Sequence, residues 1–449
     1  METPNVIMIV VDALRKDYAK PLETRLKKMG FISYENAITP APWTLPSHAS
    51  IFTGLYPLFH AAHEIRNKEI YNLRLRYKPL LTEQLNKLGY TNYLITANAF
   101  VSPFFGFDNF DHIKKSHPAH HFGLSAEELN TLRKIYNKFK FLSVFYLLRH
   151  LEFELLYRIM INYLSIKFHL PVERVYALLR KWPKEKGVSS FIEYLSKITL
   201  KTPFFLFMNI IEVHDPYFLG DDMHRLYINN IIYNHSYSNY YRKVREKYAE
   251  QVSYVSEKLI KLFKIFEEKN IFDNSLIIVV SDHGQLLGDH GRLYHGTFLF
   301  DELLRVPLLI KYPKEMKVNV IKEDKRKYIS LVKLKPFILG IVENTLNNDS
   351  VLYSDTVFAE SYGIFGLPDR LKKTINEGRK RKIEYLEKYR IAIYHRNFKG
   401  IFNVNDWEFE TIESYDDSIK VTEDIVKDMK KKVVNFLKRG VSKKLIIQN

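Results

Sequence analysis

The 449 residues predict an α/β protein built on a largely parallel central sheet, and three observations carry that prediction. Short apolar, β-favouring runs recur along the chain, and each ends in polar or ionisable residues, as buried parallel strands do where ligand sites gather at their carboxyl ends. Helical stretches separate these runs, the alternation expected of layered α/β folds. Hydrophobic residues make up 46% and charged residues 27%, with 30 Tyr and 31 Phe, a globular balance with material for a large core.

In chain order, Val6–Val11 is a continuous apolar run that stops at Asp12. Thr91–Thr96 is a more mixed run leading into Ala97-Asn98, and Pro203–Ile211 ends in Glu212-Val213-His214-Asp215. Tyr240–Glu268 reads as a long helix, and Ser275–Val280 ends in Ser281-Asp282-His283-Gly284. From about 117 to 200 the alternation is interrupted by an all-helical insertion, a packing appendage before a lid or dimer surface. Ser125-Ala126-Glu127-Glu128 is a capping box there, and the helical pattern runs to Arg180 with a break at Pro171. After Arg305–Ile310 the pattern weakens. Lys322–Lys327 reads as a charged loop, Tyr328–Val342 as a helix or strand edge, and the Lys/Arg-rich Arg370–Arg390 as a solvated helical insert. Val357–Ala359, Arg390–Tyr394 and Ile401–Val404 read as strands of a small sheet, and Asp424–Lys438 as a terminal helix. The chain thus divides into a main α/β domain over 1–345 and a small α+β subdomain over 346–449.

Composition removes several classes of function. There is no Cys, which excludes disulfides, thiolate metal sites and cysteine nucleophiles together. The formal charge, 68 − 51 = +17, suits anionic partners, but a solvated Lys/Arg-rich surface explains it as well. Nucleic acid has only that charge in its favour, with no recognisable binding module. The apolar region Phe141–Leu170 carries Arg149, Glu152, Glu154, Arg158 and Lys167, too many charges for a membrane span. It reads as an amphipathic or buried helical pair that offers surface for a homo-oligomer. The start has no basic n-region and no adequate h-region, so the expected location is cytoplasmic.

Chemistry concentrates in four places. Asp12, Asp282 and His283 offer two carboxylates and an imidazole, a first shell for one divalent cation, with Mn²⁺ preferred over Zn²⁺ and then Ca²⁺ or Mg²⁺. The stretch Pro42-Trp43-Thr44-Leu45-Pro46-Ser47-His48-Ala49-Ser50 could open a helix with its N-terminus aimed at an anion. Taken with Val213-His214-Asp215-Pro216-Tyr217, Ser281 to Gly291, and His295-Gly296 through Phe300 to Pro307, these segments resemble the sulfatase branch of the alkaline phosphatase superfamily. Ala359-Glu360-Ser361-Tyr362-Gly363 also fits, and the likeness covers about Asn5–Tyr312.

The resemblance implies an alkaline-phosphatase-like α/β/α sandwich and a metal-dependent ester hydrolase, akin to sulfatases, phosphonate monoester hydrolases and phosphodiesterases. It places Asp12, Asp282 and His283 at the family's metal ligands. Thr44 falls where sulfatases carry the Cys or Ser that becomes formylglycine, and where related phosphodiesterases carry a Thr or Ser nucleophile. His48 replaces an Arg, His214 matches a His that contacts substrate or leaving group, and His295 stands where a Lys usually binds the oxyanion. Ala13 replaces a second acidic ligand, and Asn98 is a further contact. Thr cannot yield formylglycine, because its extra methyl would leave a ketone. Direct attack by the Thr44 hydroxyl is the alternative, with the cation lowering its pKa and His48, His214 and His295 completing the field. Thr44 favours phosphate or phosphonate esters over sulfate esters, on anionic substrates that could be glycan- or lipid-linked. Two-zinc relatives carry an Asp and a His four residues apart, and Ile210 stands four residues before His214, so one metal is expected. The competing readings are a phosphoryl or phosphoethanolamine transferase, whose relatives carry N-terminal membrane helices, and a catalytically silent binder of anions or glycans.

Overall fold

A computed structural model describes residues 3–63, 74–115, 182–316, 318–321, 324, 326–367 and 375–447, with a few isolated positions between 135 and 160. The capping box at Ser125–Glu128 and most of the expected insertion, including the surface for a second copy, lie outside the described residues. No helix among the described residues is long and apolar enough to cross a membrane.

Ten strands precede the C-terminal part: β1 (Asn5–Val11), β2 (Ile32–Tyr34), β3 (Ala37–Ile38), β4 (Thr91–Thr96), β5 (His112–Lys115), β6 (Phe204–Ile210), β7 (Ser275–Val280), β8 (Leu286–Leu287), β9 (Leu293–Tyr294) and β10 (Leu308–Lys311). Seven of them form the central sheet in the order β2-β10-β7-β1-β6-β4-β5. The strands from β7 to β5 are mutually parallel. Every residue of β1, β6 and β7 is buried, which is why these runs are apolar throughout and not alternating. β10 runs antiparallel to both β7 and β2, a reversal that an apolar run does not reveal, because direction leaves no mark on period.

Helices cover the sheet in two groups. α1 (Lys20–Lys27), α2 (Thr44–Thr53), α3 (Leu81–Lys87), α4 (Val188–Lys197), α5 (Met223–Tyr233), α6 (Ser238–Glu268) and α7 (Leu334–Val342) follow in chain order. α1 and α4 pack on α6, while α3 and α7 pack on α2. α2 seats Phe52 against Phe205 and Phe207 of β6, with ring centroids 6.5 and 4.9 Å apart. The result is an α/β/α sandwich.

The chain continues through β11 (Tyr328–Ser330), β12 (Tyr353–Ser354), β13 (Thr356–Ser361), α8 (Glu377–Leu386), β14 (Arg390–His395), β15 (Phe398–Asn403), β16 (Glu408–Ser414) and α9 (Glu423–Ile447). Tyr328–Val342, read as helix or strand edge, is both, a short strand followed by a helix. β13 to β16 form an antiparallel sheet in sequence order, one strand more than the sequence predicts, because the half-exposed β16 carries three acidic residues and little apolar signal. Met429, Val433 and Phe436 of α9 close this sheet against Ile391, Ile393, Phe398 and Phe402.

Candidate active site

The register aligns Val10 with both Asn209 and Val280, so the turns after β1, β6 and β7 leave the sheet side by side. Asp12 follows β1, Asp282 and His283 follow β7, and Asn98 lies two residues beyond β4. All except Asn98 are fully buried.

The turn after β1 is forced into shape. Ala13 has φ +61°, a conformation that costs an L-residue about 1–2 kcal/mol. It is held there from three directions. The Ala13 N–H donates to Asp282 Oδ1 (3.2 Å), the Leu14 N–H to Ser281 Oγ (2.9 Å), and the Tyr248 hydroxyl donates to the Ala13 carbonyl (2.7 Å) while accepting from the Arg15 N–H (2.8 Å). The Asp282 carbonyl in turn accepts from Thr39 Oγ1 (2.5 Å) and Ser47 Oγ (2.7 Å), which ties the β7 turn to α2.

Thr44 is the first residue of α2 and is buried. Its Oγ1 lies 3.3 Å from His283 Nε2 and 3.4 Å from the Asn98 amide nitrogen. That same Asn98 amide donates to Asp12 Oδ2 at 2.7 Å, joined at 3.3 Å by the amide of Asn209. His283 donates Nδ1–H to the Gly284 carbonyl (2.8 Å), leaving Nε2 3.5 Å from both Asp12 Oδ1 and Asp282 Oδ2. These two carboxylate oxygens are buried and have no hydrogen-bond partner among the described residues. Two orphaned anionic oxygens facing an imidazole nitrogen are what a divalent cation satisfies, and the three donors lie within 4.8 Å of one another.

The electrostatics fit that vacancy of charge. Burial opposes ionisation of Asp12, but His214, His283, His48 and the Asn98 amide outweigh it and hold the carboxyl below its usual range. Burial and then the Asp12 charge push Asp282 well up, so without a cation the two carboxylates cannot both be charged. Burial lowers His283 to about 4, which keeps it neutral and able to ligate.

His48 departs from the role expected of it. Burial lowers it to about 4, against the opposing pull of Asp12. Its Nδ1–H donates to the Thr44 carbonyl (2.9 Å) and its Nε2 accepts from Asn209 (3.2 Å), so both nitrogens are committed to shaping the start of α2. His214 and His295 stand across the site with ring centroids 5.0 Å apart, and His295 lies 4.5 Å from His283. Burial opposes protonation of His214, but Asp215 and then Asp12 raise it overall. Burial, followed by His283 and His214, holds His295 well below the usual imidazole range, and its Nδ1–H donates to Gln285 Oε1 (2.6 Å). His214, Asp215 and His295 form a second group of three close donors. Here, however, the Asp215 carboxylate already meets His214 Nδ1 (3.1 Å) and the Gln285 amide (3.3 Å).

Three supporting residues escaped the sequence reading. Asn209 carried a signal, a lone amide inside an apolar strand. Gln285 carried only its place after His283-Gly284. Lys186 carried none: it is buried and donates to the carbonyls of Glu212 (2.8 Å) and His214 (2.5 Å), fixing the turn that bears His214.

A family model described as Sulfatase matches residues 4–344. N-acetylglucosamine-6-O-sulfatase of Bacteroides thetaiotaomicron is 35% identical over 79 residues, which are 18% of this chain and 14% of that protein. Choline-sulfatase of Rhizobium meliloti is 36% identical over 72 residues, 16% of this chain and 14% of that protein. The matched stretch is thus a small part of each curated relative. Among solved structures, a 2-O GAG sulfatase superimposes with a TM-score of 0.62 at 13% identity, covering 98% of this chain and 93% of that one. The phosphonate monoester hydrolase of Silicibacter pomeroyi gives 0.60 at 14% identity, covering 98% and 96%. These structures share the fold.

Proposed function

The chain belongs to the sulfatase family, and from that premise we propose that it is a metal-dependent hydrolase of phosphate, phosphonate or sulfate esters whose nucleophile is the Thr44 hydroxyl. The observation that carries the reading is the position of Thr44 Oγ1, 3.3 Å from His283 Nε2 beside two buried, unpartnered carboxylate oxygens. Asp12, Asp282 and His283 would hold one divalent cation, of Mn, Zn, Ca or Mg. That ion supplies the positive charge that favours an ionised hydroxyl and neutralises the ester oxygens. The second donor group is less in need of an ion, because its carboxylate is already paired, which supports a count of one.

Asn98 orients the hydroxyl and Asp12 together through one amide. Thr44 opens a buried ten-residue helix whose free N–H groups favour an anion at its start. His214, raised by Asp215, is the better placed of the two facing imidazoles to give a proton to the leaving oxygen. Its dependence on Asp215 survives when a cation cancels the Asp12 charge. Neutral His295 lines the same space as a polar contact, and His48 positions Thr44 from behind. Water then cleaves the Thr44 ester. Thr cannot be converted to an aldehyde, which supports phosphorus over sulfur esters.

The test is a panel of aryl phosphate, bis-aryl phosphate, aryl phosphonate and aryl sulfate esters with each cation. Turnover of at least one ester is expected, abolished by chelation and reduced on the order of 10³-fold or more in Thr44→Ala. Metal analysis is expected to find one equivalent. No turnover with any cation would favour a silent binder of anionic glycans, and turnover surviving Thr44→Ala would remove the nucleophile.

A further inference from the structure

A cavity of about 210 Å³ adjoins Asn98, lined by Thr96, Asn98, Ser102, Phe104, Phe105 and Lys115. The sheet explains its place. Thr96 of β4 pairs with Lys115 of β5, both at the carboxyl ends of parallel strands, so the edge reads Asp282, Asp12, His214, Asn98, Lys115 from β7 to β5. Asn98 is the wall shared with the reacting centre, since its amide reaches Asp12 and Thr44.

The two other walls differ in chemistry. One is aromatic: Phe104 is 54% exposed and carries the Arg74 guanidinium 4.5 Å from its ring centre. Phe105 packs on Phe100 (5.1 Å), which meets Trp43 (5.9 Å), the residue before the nucleophile. The other is cationic: Lys115 is exposed and its ammonium makes no hydrogen bond or ion pair among the described residues. Lys115 and Asn98 line the same cavity, and the Asn98 amide lies 3.4 Å from Thr44 Oγ1, so an ester group that extends from Thr44 into the cavity meets the Lys115 side chain.

We infer that this cavity is the subsite for the organic group of the ester, and that Lys115 selects groups carrying a second negative charge on a flat or ring-shaped body. The inference rests on the proposed ester chemistry at Thr44. A carboxylate, sulfate or phosphate can supply that charge, since an ammonium recognises all three.

Two probes of matched shape test it, 4-carboxyphenyl phosphate and its neutral isostere 4-carbamoylphenyl phosphate. They are titrated by calorimetry with Mn²⁺ into Thr44→Ala protein, so that binding is read without turnover. The carboxylate is expected to bind about five-fold more tightly or better, a preference lost with Lys115→Gln and kept with Lys115→Arg. In turnover by protein with Thr44 intact, kcat/KM should show the same ratio and the same response to the two lysine substitutions. Equal affinity for both probes, or a preference that survives Lys115→Gln, overturns the subsite and leaves the ester chemistry standing. A carboxylate preference in binding with no turnover of any ester supports the subsite and removes the ester chemistry. Failure of both probes to bind overturns the subsite, and the ester panel decides the chemistry at Thr44 separately.

Discussion

At Asp12, the two carboxylate oxygens are treated differently. Oδ2 accepts from the amides of Asn98 and Asn209, while Oδ1 is left bare beside His283. Amide bonds to one oxygen fix the plane of the carboxylate and aim the other, the usual work of groups that support a metal ligand. Asn98→Ala removes the shorter of these bonds and the contact to Thr44 in one step. Cation affinity and kcat are each expected to fall about 10–100-fold, read by calorimetric titration and steady-state kinetics, with little change in melting temperature. A variant with native cation affinity would mean that Asn209 alone positions Asp12. Asp12, Asp282 and His283 were visible in the sequence because carboxylates and imidazole at the ends of apolar runs have few structural uses. The role of His48 was not, since a motif position says nothing about which way a ring nitrogen points. Its burial between α2 and β6 decides that.

The elements that bear the site are held by α6 as much as by the sheet. Tyr248 reaches from that helix to grip Ala13 and Arg15 on either side of the strained turn. Tyr248→Phe keeps the packing and deletes the hydroxyl, leaving a buried carbonyl and a buried N–H unpaired, at a cost of about 1–3 kcal/mol. The melting temperature is expected to drop by several degrees, together with cation affinity, because relaxation of Ala13 would swing Asp12. An unchanged melting temperature would show that the sheet alone imposes the turn. The strands β1, β6 and β7 were legible because burial on both faces makes them uniformly apolar. β2 and β5 were not, being short strands at the two edges of the sheet, and β5 is mostly exposed, so its residues answer to solvent and not to a core.

Across the whole molecule, the buried charges make stability depend on pH in two opposite ways. Asp282 is raised in the folded protein, so its contribution is present below the ordinary carboxyl range and is lost as pH rises through its folded value. His48 and His283 are lowered to about 4 from 6.5, so their contributions are present above 6.5 and are lost as pH falls towards 4. Chelated protein is therefore expected to have a stability maximum between an acid limb set by the histidines and an alkaline limb set by Asp282. A divalent cation should lift the alkaline limb most, releasing a proton as it binds. Thermal melts across pH with and without Mn²⁺ check this, and parallel curves would mean that the two carboxylates do not share one ion. The closeness of these groups in space also hides their distance along the chain. Ala13 and Asp282, joined by a hydrogen bond, stand 269 positions apart. A ribosome adding about 5–20 residues per second needs roughly 15–50 s to travel between them. Throughout that interval the growing polypeptide holds one carboxylate of the pair with nothing to complete it, so a cation held by the proposed ligands would be captured only late in synthesis, and truncated products ending before Ser275 are expected not to bind one.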